Sequence, residues 1–357
     1  MRPKETKMVK VAVGLSGGID SSTSAIVLQE QGYDVIGVTM RLWSECITSR
    51  EGSCCGPQDH LNLKLIANDK GFPHYLYTLT DQFYNDVVKY YINSFKNGET
   101  PSPCTICNSH CKWHYMWEFA KKLGCEKIAT GHYARIEQVN DFYMLKTSYD
   151  LKKDQTFFLW QMTQEQLSNT IFPIGGMTKP YVRNIGKDSN LPNWNKKESM
   201  DVCFISDGNS NFLKRHLPDY CNPGNVLDLD GNIIGRHKGA VLYTIGQSQR
   251  LEIFKPVKMF VIKIDVINNV LVVGPRESLL TDTINIERPN WISPIIPTAG
   301  WVRVRHGGTL HKCTINGNII TLVNDKIVKA NKGQTAVIYS DELTDGSRHC
   351  LGGGWIV

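Results

Sequence analysis

Residues 8–40 constrain this chain more than any other stretch, because they read strand, glycine-rich turn, helix, strand. Val9, Val11 and Val13, with Ala12 and Leu15, make an apolar run suited to a buried parallel strand. Ser16-Gly17-Gly18-Ile19-Asp20-Ser21-Ser22 follows at once. Residues 23–31 then carry Ala25, Ile26 and Leu28 on one helical face, and Gly32 is placed to stop the helix. A second apolar strand spans 35–40. The unit is about thirty residues long, the usual size of a right-handed βαβ crossover.

The turn in that unit is suited to binding an anion. Glycines let the backbone approach a ligand closely with its N–H groups pointing inward. A helix beginning at Asp20-Ser21-Ser22 adds unpaired N–H donors and the positive end of its dipole. Ser16, Ser21 and Ser22 add hydroxyls, and Asp20 offers a carboxylate oxygen to a magnesium ion. No Gly-Lys-Ser/Thr is present, so this is not a Walker loop, and the third glycine of the dinucleotide fingerprint is missing. Ser-Gly-Gly-x-Asp-Ser-Ser in this setting resembles the pyrophosphatase loop of enzymes that adenylate an oxygen with ATP and release pyrophosphate.

At 357 residues the chain has room for two or three cores. Its net charge of +6 leans toward a polyanionic partner. No apolar run reaches the roughly 18–20 residues of a membrane helix. Residues 1–10 are basic without the apolar stretch of a signal peptide, so the expected setting is the cytoplasm, with no membrane partner. Eleven cysteines is an odd number and many for a reducing compartment, where thiols more often bind metal or react than cross-link.

Along the chain, strands and helices alternate as far as about residue 205. Residues 59–69 read as a helix with Leu61, Leu65 and Ile66 inward. Residues 81–95 form an amphipathic helix with Phe83, Val87, Tyr91 and Phe95 on its core face, and 110–123 another helix. Residues 75–79 and 127–130 are strands, the second running into Gly131-His132-Tyr133, and 142–146 a hairpin strand. This order implies a doubly wound parallel sheet. From Gly224 onward, short β-branched runs alternate with the turns Asp230-Gly231, Asn268-Asn269 and Asn316-Gly317. Pro289, Pro294 and Pro297 suggest a linker near 288–300. The expected fold is therefore α/β: a catalytic domain over 1–210, a small β-rich adaptor over 211–285, and a C-terminal β-barrel over 286–357.

Two cysteine stretches carry chemistry. In Thr100-Pro101-Ser102-Pro103-Cys104-Thr105-Ile106-Cys107-Asn108, two prolines fix an extended approach and a C-x-x-C precedes the helix at His110. A thiol at a helix N-terminus has its thiolate favoured by the dipole. His110, Cys111 and His114 raise the question of zinc, but finger-type sites separate their Cys and His pairs by about a dozen residues. The other stretch is Glu198-Ser199-Met200-Asp201-Val202-Cys203-Phe204-Ile205, where Cys203 falls at the start of an expected strand.

Taken together, these motifs give the chain its likeness to tRNA-specific 2-thiouridylases. The matching stretches also include Ala129-Thr130-Gly131-His132-Tyr133-Ala134-Arg135, Lys153-Asp154-Gln155, Phe172-Pro173-Ile174-Gly175, Tyr243-Thr244-Ile245-Gly246-Gln247, Gly333-Gln334 and Leu351-Gly352-Gly353-Gly354, nearly end to end. The resemblance implies ATP-dependent replacement of the 2-oxygen of the wobble uridine, position 34, by sulfur. It implies a persulfide on Cys203, with Cys107 as the second thiol that closes a disulfide with it. ATP would meet Gly14, Leu15, Ser16, Gly17, Gly18, Ile19, Asp20, Ser21, Met40 and Gly131, with Mg2+ alongside. Ser102, Pro103 and Cys104 match the triplet facing the target base. His132, Lys153, Asp154, Gln155, Arg305, His306 and Gln334 match tRNA-contacting positions. The implied partners are tRNAs accepting Lys, Glu and Gln, and an upstream persulfide donor such as a cysteine desulfurase or sulfur carrier.

The chain departs from the family pattern at two places. The base-facing triplet is commonly Asn-Pro-Asp, and the thiol in Ser102-Pro103-Cys104 replaces a carboxylate. Cys104, Cys107 and Cys203 are then three sulfurs that suit a [4Fe-4S] cluster with one open iron, an alternative sulfur donor. The usual Gly-Gln-Arg is Gly246-Gln247-Ser248, with Arg250 two places later. A synthetase of the same loop class acting on a small metabolite, or a tRNA-binding module without catalysis, are the competing readings. The clustered Arg303, Arg305, His306, His311 and Lys312 favour a phosphate-gripping C-terminal half.

Overall fold

The computed structural model describes residues 8–43, 57–196, 202–249, 251–253 and 258–357. Cys46, Cys54, Cys55, Glu198, Ser199 and Arg250 lie outside them. The first unit is as the sequence implies: β1 (Lys10–Gly14), α1 (Ile19–Glu30) and β2 (Asp34–Arg41), with the two strands parallel. Gly32 sits at φ +85° just past the helix, the left-handed stop that a side chain would resist. Next come α2 (Pro57–Lys70), β3 (His74–Thr78) and α3 (Thr80–Phe83). A π turn over Tyr84–Val88 and α4 (Lys89–Lys96) continue the helical run. The face expected for α2 is corrected. Leu63, Ile66 and Ala67 are buried, whereas Leu61 and Leu65 are exposed. The sequence there offers leucines on alternate positions, and only docking against the sheet selects among them.

The thiol-bearing segment is also longer than expected. Helix begins at Pro103, not His110: α5 (Pro103–Ile106), a π turn over Cys107–Lys112 and α6 (Trp113–Lys122) run on without a break. Pro103 takes the first helical position, where its missing N–H costs nothing. Cys107 therefore lies within the helical stretch rather than ahead of it.

Four segments then complete the first domain: β4 (Lys127–Thr130), the hairpin β5 (Ala134–Val139) and β6 (Phe142–Thr147), α7 (Gln164–Ser168), and β7 (Thr170–Ile171) with α8 (Lys179–Asp188). The sheet is parallel in the order β3-β2-β1-β4-β7. The chain reverses its winding between β1 and β4, and ligands of open α/β sheets bind beyond the strand ends at such a point. The phosphate-type loop leaves β1 there.

After α9 (Asn209–His216), the adaptor sheet holds β8 (Gly224–Leu227), β9 (Ile233–His237), β10 (Glu252–Ile253), β11 (Phe260–Asp265) and β12 (Val270–Gly274). Gly231, Asn269 and Gly317 all take positive φ at the turns read from the sequence. A short β13 (Leu280–Thr281) leads to the barrel strands: β14 (Thr283–Trp291), β15 (Ala299–Arg303), β16 (His311–Asn316) and β17 (Ile319–Leu322). β18 (Ile327–Val328), which pairs β13, β19 (Thr335–Tyr339) and β20 (His349–Ile356) complete it. Pairing of β14 with both β17 and β20 closes six strands into a barrel. The expected linker is corrected at its start, for Pro289 lies inside β14, where the register shifts between Glu287 and Asn290.

The hairpin β5–β6 belongs by sequence to the first domain, yet β6 pairs with β20 of the barrel sheet. Lys146 bridges Glu137 and Asp345 at 3.2 Å each, and Arg135 meets Asp345 at 3.1 Å. The hairpin thus bolts the barrel to the catalytic domain. Among the described residues, no helix is long and apolar enough to cross a membrane.

Candidate active site

The loop after β1 is held from several directions. Ser21 Oγ accepts from the Ser16 N–H at 3.1 Å and donates to the Gly18 carbonyl at 3.0 Å, closing the turn on itself. Gly17 takes φ +78°, and a Cβ there would stand 3.0 Å from Asp59 Cβ. A Cβ on Gly131 would lie 2.7 Å from the Ser21 nitrogen, so only glycine lets the end of β4 lie across the start of α1. Gly14, Leu15, Ser16, Gly17, Gly18, Ile19, Asp20 and Ser21 are contiguous here, with Gly131 packed on them. Met40 lies at the end of the neighbouring strand β2, packed between two core clusters.

Asp20, the expected magnesium ligand, accepts both oxygens' contacts from Lys179 Nζ at 2.7 Å, and Tyr133 Oη donates to it at 2.9 Å. Lys179 stands in the first turn of α8 and is buried. Asn193 donates to the Gly17 carbonyl and to Ser22 Oγ, both at 3.1 Å, while its own buried Oδ1 has no protein partner. Lys196 Nζ meets Asp59 Oδ1 at 2.6 Å. Lys179, Asn193, Asp59 and Lys196 were not singled out from sequence. They come from three separate segments, with no spacing pattern to mark them. Lys179 and Lys196, with the loop's N–H groups, fit the charge of an ATP triphosphate, while Asn193, its amide hydrogens spent on Gly17 and Ser22, fixes the loop's shape. Asp20 and Asp59 are the carboxylates beside the loop that would face a magnesium ion carried on it.

The thiols sit on the neighbouring helical run. Cys107 is buried and pushed well up from the usual thiol range, by its hydrogen bond with Cys111 and by burial. Cys104 presents surface to solvent, and the surrounding protein raises its thiol, with Lys112 pulling the other way. The expectation that a helix start lowers these thiols is not met: the hydrogen bond with Cys111 and burial raise Cys107, and burial raises Cys104. Lys112, also missed from sequence, closes the π turn that begins at Cys107 and is the cation acting on both thiols.

Cys203 lies in a turn rather than at a strand's start, and is exposed. Its neighbour Phe204 is buried in the same cluster as Cys107, Cys111, Phe83 and Tyr91, with Val202 and Ile205 against it. Phe204 packs edge-on to Tyr91 at 5.3 Å. The segments bearing Cys107 and Cys203 therefore share one core. No three His, Cys, Asp or Glu side chains among the described residues are grouped to hold a metal ion. Cys104, Cys107 and Cys203 do not form the set a [4Fe-4S] cluster needs, so no step is assigned to one.

Of the base-facing triplet, Ser102 and Pro103 are buried, Ser102 Oγ meets Thr105 Oγ1 at 3.0 Å, and only Cys104 opens outward. His132 connects the two halves of the site. It follows Gly131, its Nδ1 lies 2.8 Å from Thr130 Oγ1, and Trp113 and Phe172 enclose its ring. Burial, aided by the Lys112 charge, pushes it down to about 3, so it is a neutral imidazole at pH 7.

The tRNA-assigned positions divide by exposure. Asp154 is buried, accepting from the Ser148 N–H at 3.0 Å and Thr156 Oγ1 at 2.7 Å, with Arg303 3.9 Å away. Gln155 Oε1 accepts from the Tyr133 N–H at 2.9 Å. Lys153 and Gln155 are both half-buried. Arg303 turns inward over the Tyr339 ring, His311 pairs with Asp325, and His306 lies 4.6 Å from the Phe158 ring with burial pushing its imidazole down, which narrows the expected basic cluster to Arg305 and Lys312. Arg305 lines a 520 Å³ cleft with Thr100, Thr244, Gly246, Gln247, Phe260, Arg276, Asn331 and Gln334, drawn from all three domains.

A parallel sheet with a Ser-Gly-Gly-x-Asp-Ser loop at its switch point, followed by two β domains, defines a nucleotide-handling α/β domain carrying a β-rich C-terminal half. Three consecutive family matches agree: a tRNA methyl transferase HUP domain over 9–207, a tRNA methyl transferase PRC-barrel domain over 210–275, and an aminomethyltransferase beta-barrel domain over 281–356. The tRNA-specific 2-thiouridylase MnmA of Clostridium perfringens is 38% identical over 347 residues, covering 94% of this chain and 97% of its own. That of Clostridioides difficile is 38% identical over 350 residues, covering 94% and 96%. The chain belongs to the tRNA-specific 2-thiouridylase family. Among solved structures, a 4-thiouridine synthetase in an RNA complex with bound ATP matches 59% of this chain and 51% of its own, at 17% identity and TM-score 0.35. NMN synthetase from Francisella tularensis matches 54% and 66%, at 16% identity and TM-score 0.31.

Proposed function

We propose that this protein is an ATP-dependent tRNA-uridine 2-sulfurtransferase acting on the wobble uridine. The observation that carries the reading is the continuity of loop and thiols. Gly131 packs on Ser21, the ring of the next residue His132 lies 5.4 Å from that of Trp113, and Trp113 opens the helix that continues directly from the turn bearing Cys107.

In this reading the loop N–H groups and Lys179 hold the phosphates, Asn193 fixes the loop's shape through Gly17 and Ser22, and magnesium accompanies ATP. The uridine O2 attacks the α-phosphorus and pyrophosphate leaves, which turns a poor leaving group into AMP. The terminal sulfur of a Cys203 persulfide then attacks C2 and AMP departs. Cys107 as thiolate attacks the Cys203 Sγ, forming a Cys107–Cys203 disulfide and releasing the thiocarbonyl sulfur to the base. A cellular thiol reductant reopens the disulfide, and a desulfurase or sulfur carrier reloads Cys203. His132, flanked by Trp113 and Phe172, offers the base a neutral imidazole. Residues 1–210 act as the catalytic unit, 211–285 as adaptor and 286–357 as the tRNA-gripping barrel, in the cytoplasm, on Lys, Glu and Gln acceptors.

The test is mass analysis of tRNA nucleosides after incubation with ATP, magnesium and a persulfide source. The expected product is 2-thiouridine at position 34, with one AMP released per sulfur. ATP turnover that ignores tRNA would defeat the reading in favour of a small-metabolite synthetase.

A further inference from the structure

The turn that opens β19 reaches across the domain boundary and grips the backbone immediately upstream of the thiols. Asn331 Nδ2 donates to Thr100 Oγ1 at 2.9 Å, and the Thr100 N–H donates to the Lys332 carbonyl at 2.9 Å. Gln334 Nε2 reaches the carbonyls of both Thr100 at 2.9 Å and Pro101 at 3.1 Å. Gly333 permits the approach, since at φ +85° its Cβ would stand 3.1 Å from the Thr100 oxygen. The turn is itself tied to the barrel's last strand, through Gly333 N–H to the Ile356 carbonyl and Ile356 N–H to the Gln334 carbonyl.

We infer that Asn331 and Gln334 are positioning residues that transmit tRNA docking on the barrel to the thiol segment. The inference rests on the thiolation reading and names a residue role within it. The resemblance places Gln334 at the tRNA, but here its amide nitrogen is committed to the chain before Cys104. Slack between clamp and thiol is small. Pro101 and Pro103 each lock φ, Ser102 is buried, and its N–H lies 3.4 Å from Tyr90 Oη. Cys104 follows within the first helical turn. Thr100, Asn331 and Gln334 also line the cleft that carries Arg276 and Arg305. A phosphate backbone settling there bears on the same residues that hold Thr100. Misplacement by about 1 Å is enough to cost a reaction about a hundredfold, so a clamp of this kind is felt in rate.

The test uses full-length enzyme carrying Gln334→Met, Asn331→Ala or Thr100→Val. The third removes the Asn331 bond from half-buried Thr100 with little change of shape, which keeps a folded variant in the comparison. Three quantities are measured: tRNA dissociation constant, single-turnover thiolation at saturating tRNA, and iodoacetamide modification of Cys104 by mass spectrometry in protein alone. Positioning predicts, whatever the change in dissociation constant, a thiolation rate at saturating tRNA lowered about tenfold or more and Cys104 modification changed about threefold or more. A Gln334→Met enzyme with weakened binding and a normal rate at saturation would make Gln334 a tRNA contact and overturn the inference. Slower thiolation with unchanged Cys104 modification would also overturn it. If wild-type enzyme makes no thiouridine while Cys104 modification still responds to the variants, the clamp stands and the functional reading falls.

Discussion

Around the phosphate loop the charges are already arranged: Asp20 is paired with Lys179, Asp59 with Lys196, and Asn193 is bonded to the Gly17 carbonyl. Around Cys104 and Cys107 the opposite holds, for burial keeps both thiols protonated at neutral pH and Lys112 only partly offsets it. The difference follows from what each region must handle. A triphosphate brings fixed charge, and donors aimed in advance need not reorganise when it arrives. A thiolate invites oxidation, and a cysteine held as thiol resists it.

The sharpest way to break that comparison is at Cys203. Cys203→Ser is expected to abolish 2-thiouridine while leaving tRNA affinity within a few-fold, read by nucleoside mass analysis and filter binding. Retained thiolation would remove the sulfur relay altogether. Next is Lys179→Met, which leaves the Asp20 carboxylate without its cation. ATP–pyrophosphate exchange should fall by about two orders of magnitude. Stability should fall by about 1–3 kcal/mol in a urea melt, less than for a fully buried pair because Asp20 keeps some solvent. Iodoacetamide modification of Cys104 should not change, and a change there would mean the two regions are not separable.

A smaller effect concerns pH. Since both thiols titrate above their usual range, their modification rate should keep climbing as pH rises past the ordinary thiol value. Lys112→Ala removes the charge that lowers them, so at pH 8 the variant should react more slowly than wild type. A faster rate would contradict the assigned sign. The smallest expected effect separates two arginines of the barrel. Arg305→Ala should reduce the salt slope of tRNA binding by about one unit. Arg303→Ala should leave the slope alone and lower stability instead, because its guanidinium serves Asp154 and the Tyr339 ring. Equal slopes for both variants would restore the undivided basic cluster.

Much of the phosphate half was legible in the sequence because it is local: strand, glycines, helix start and serines are contiguous, and short-range stereochemistry dictates their shape. The parallel sheet, the barrel, the turns at Gly231, Asn269 and Gly317, and the aromatic stripe from Phe83 to Phe95 were legible for the same reason. The thiol half was less so. Helix starting at Pro103, the π turn from Cys107 and the buried face of α2 depend on what each element packs against.

What the sequence determined by itself is the chemistry on offer: an anion loop after β1, a C-x-x-C behind two prolines, and a distant Cys-Phe-Ile. Tertiary structure alone decided which groups serve it, bringing Lys179 to Asp20, Lys112 to the thiols, β6 to the barrel and Gln334 to Thr100. Spacing along a chain encodes neighbours within a few turns, whereas a contact across 159 or 234 residues exists only once cores have packed and burial has set each charge.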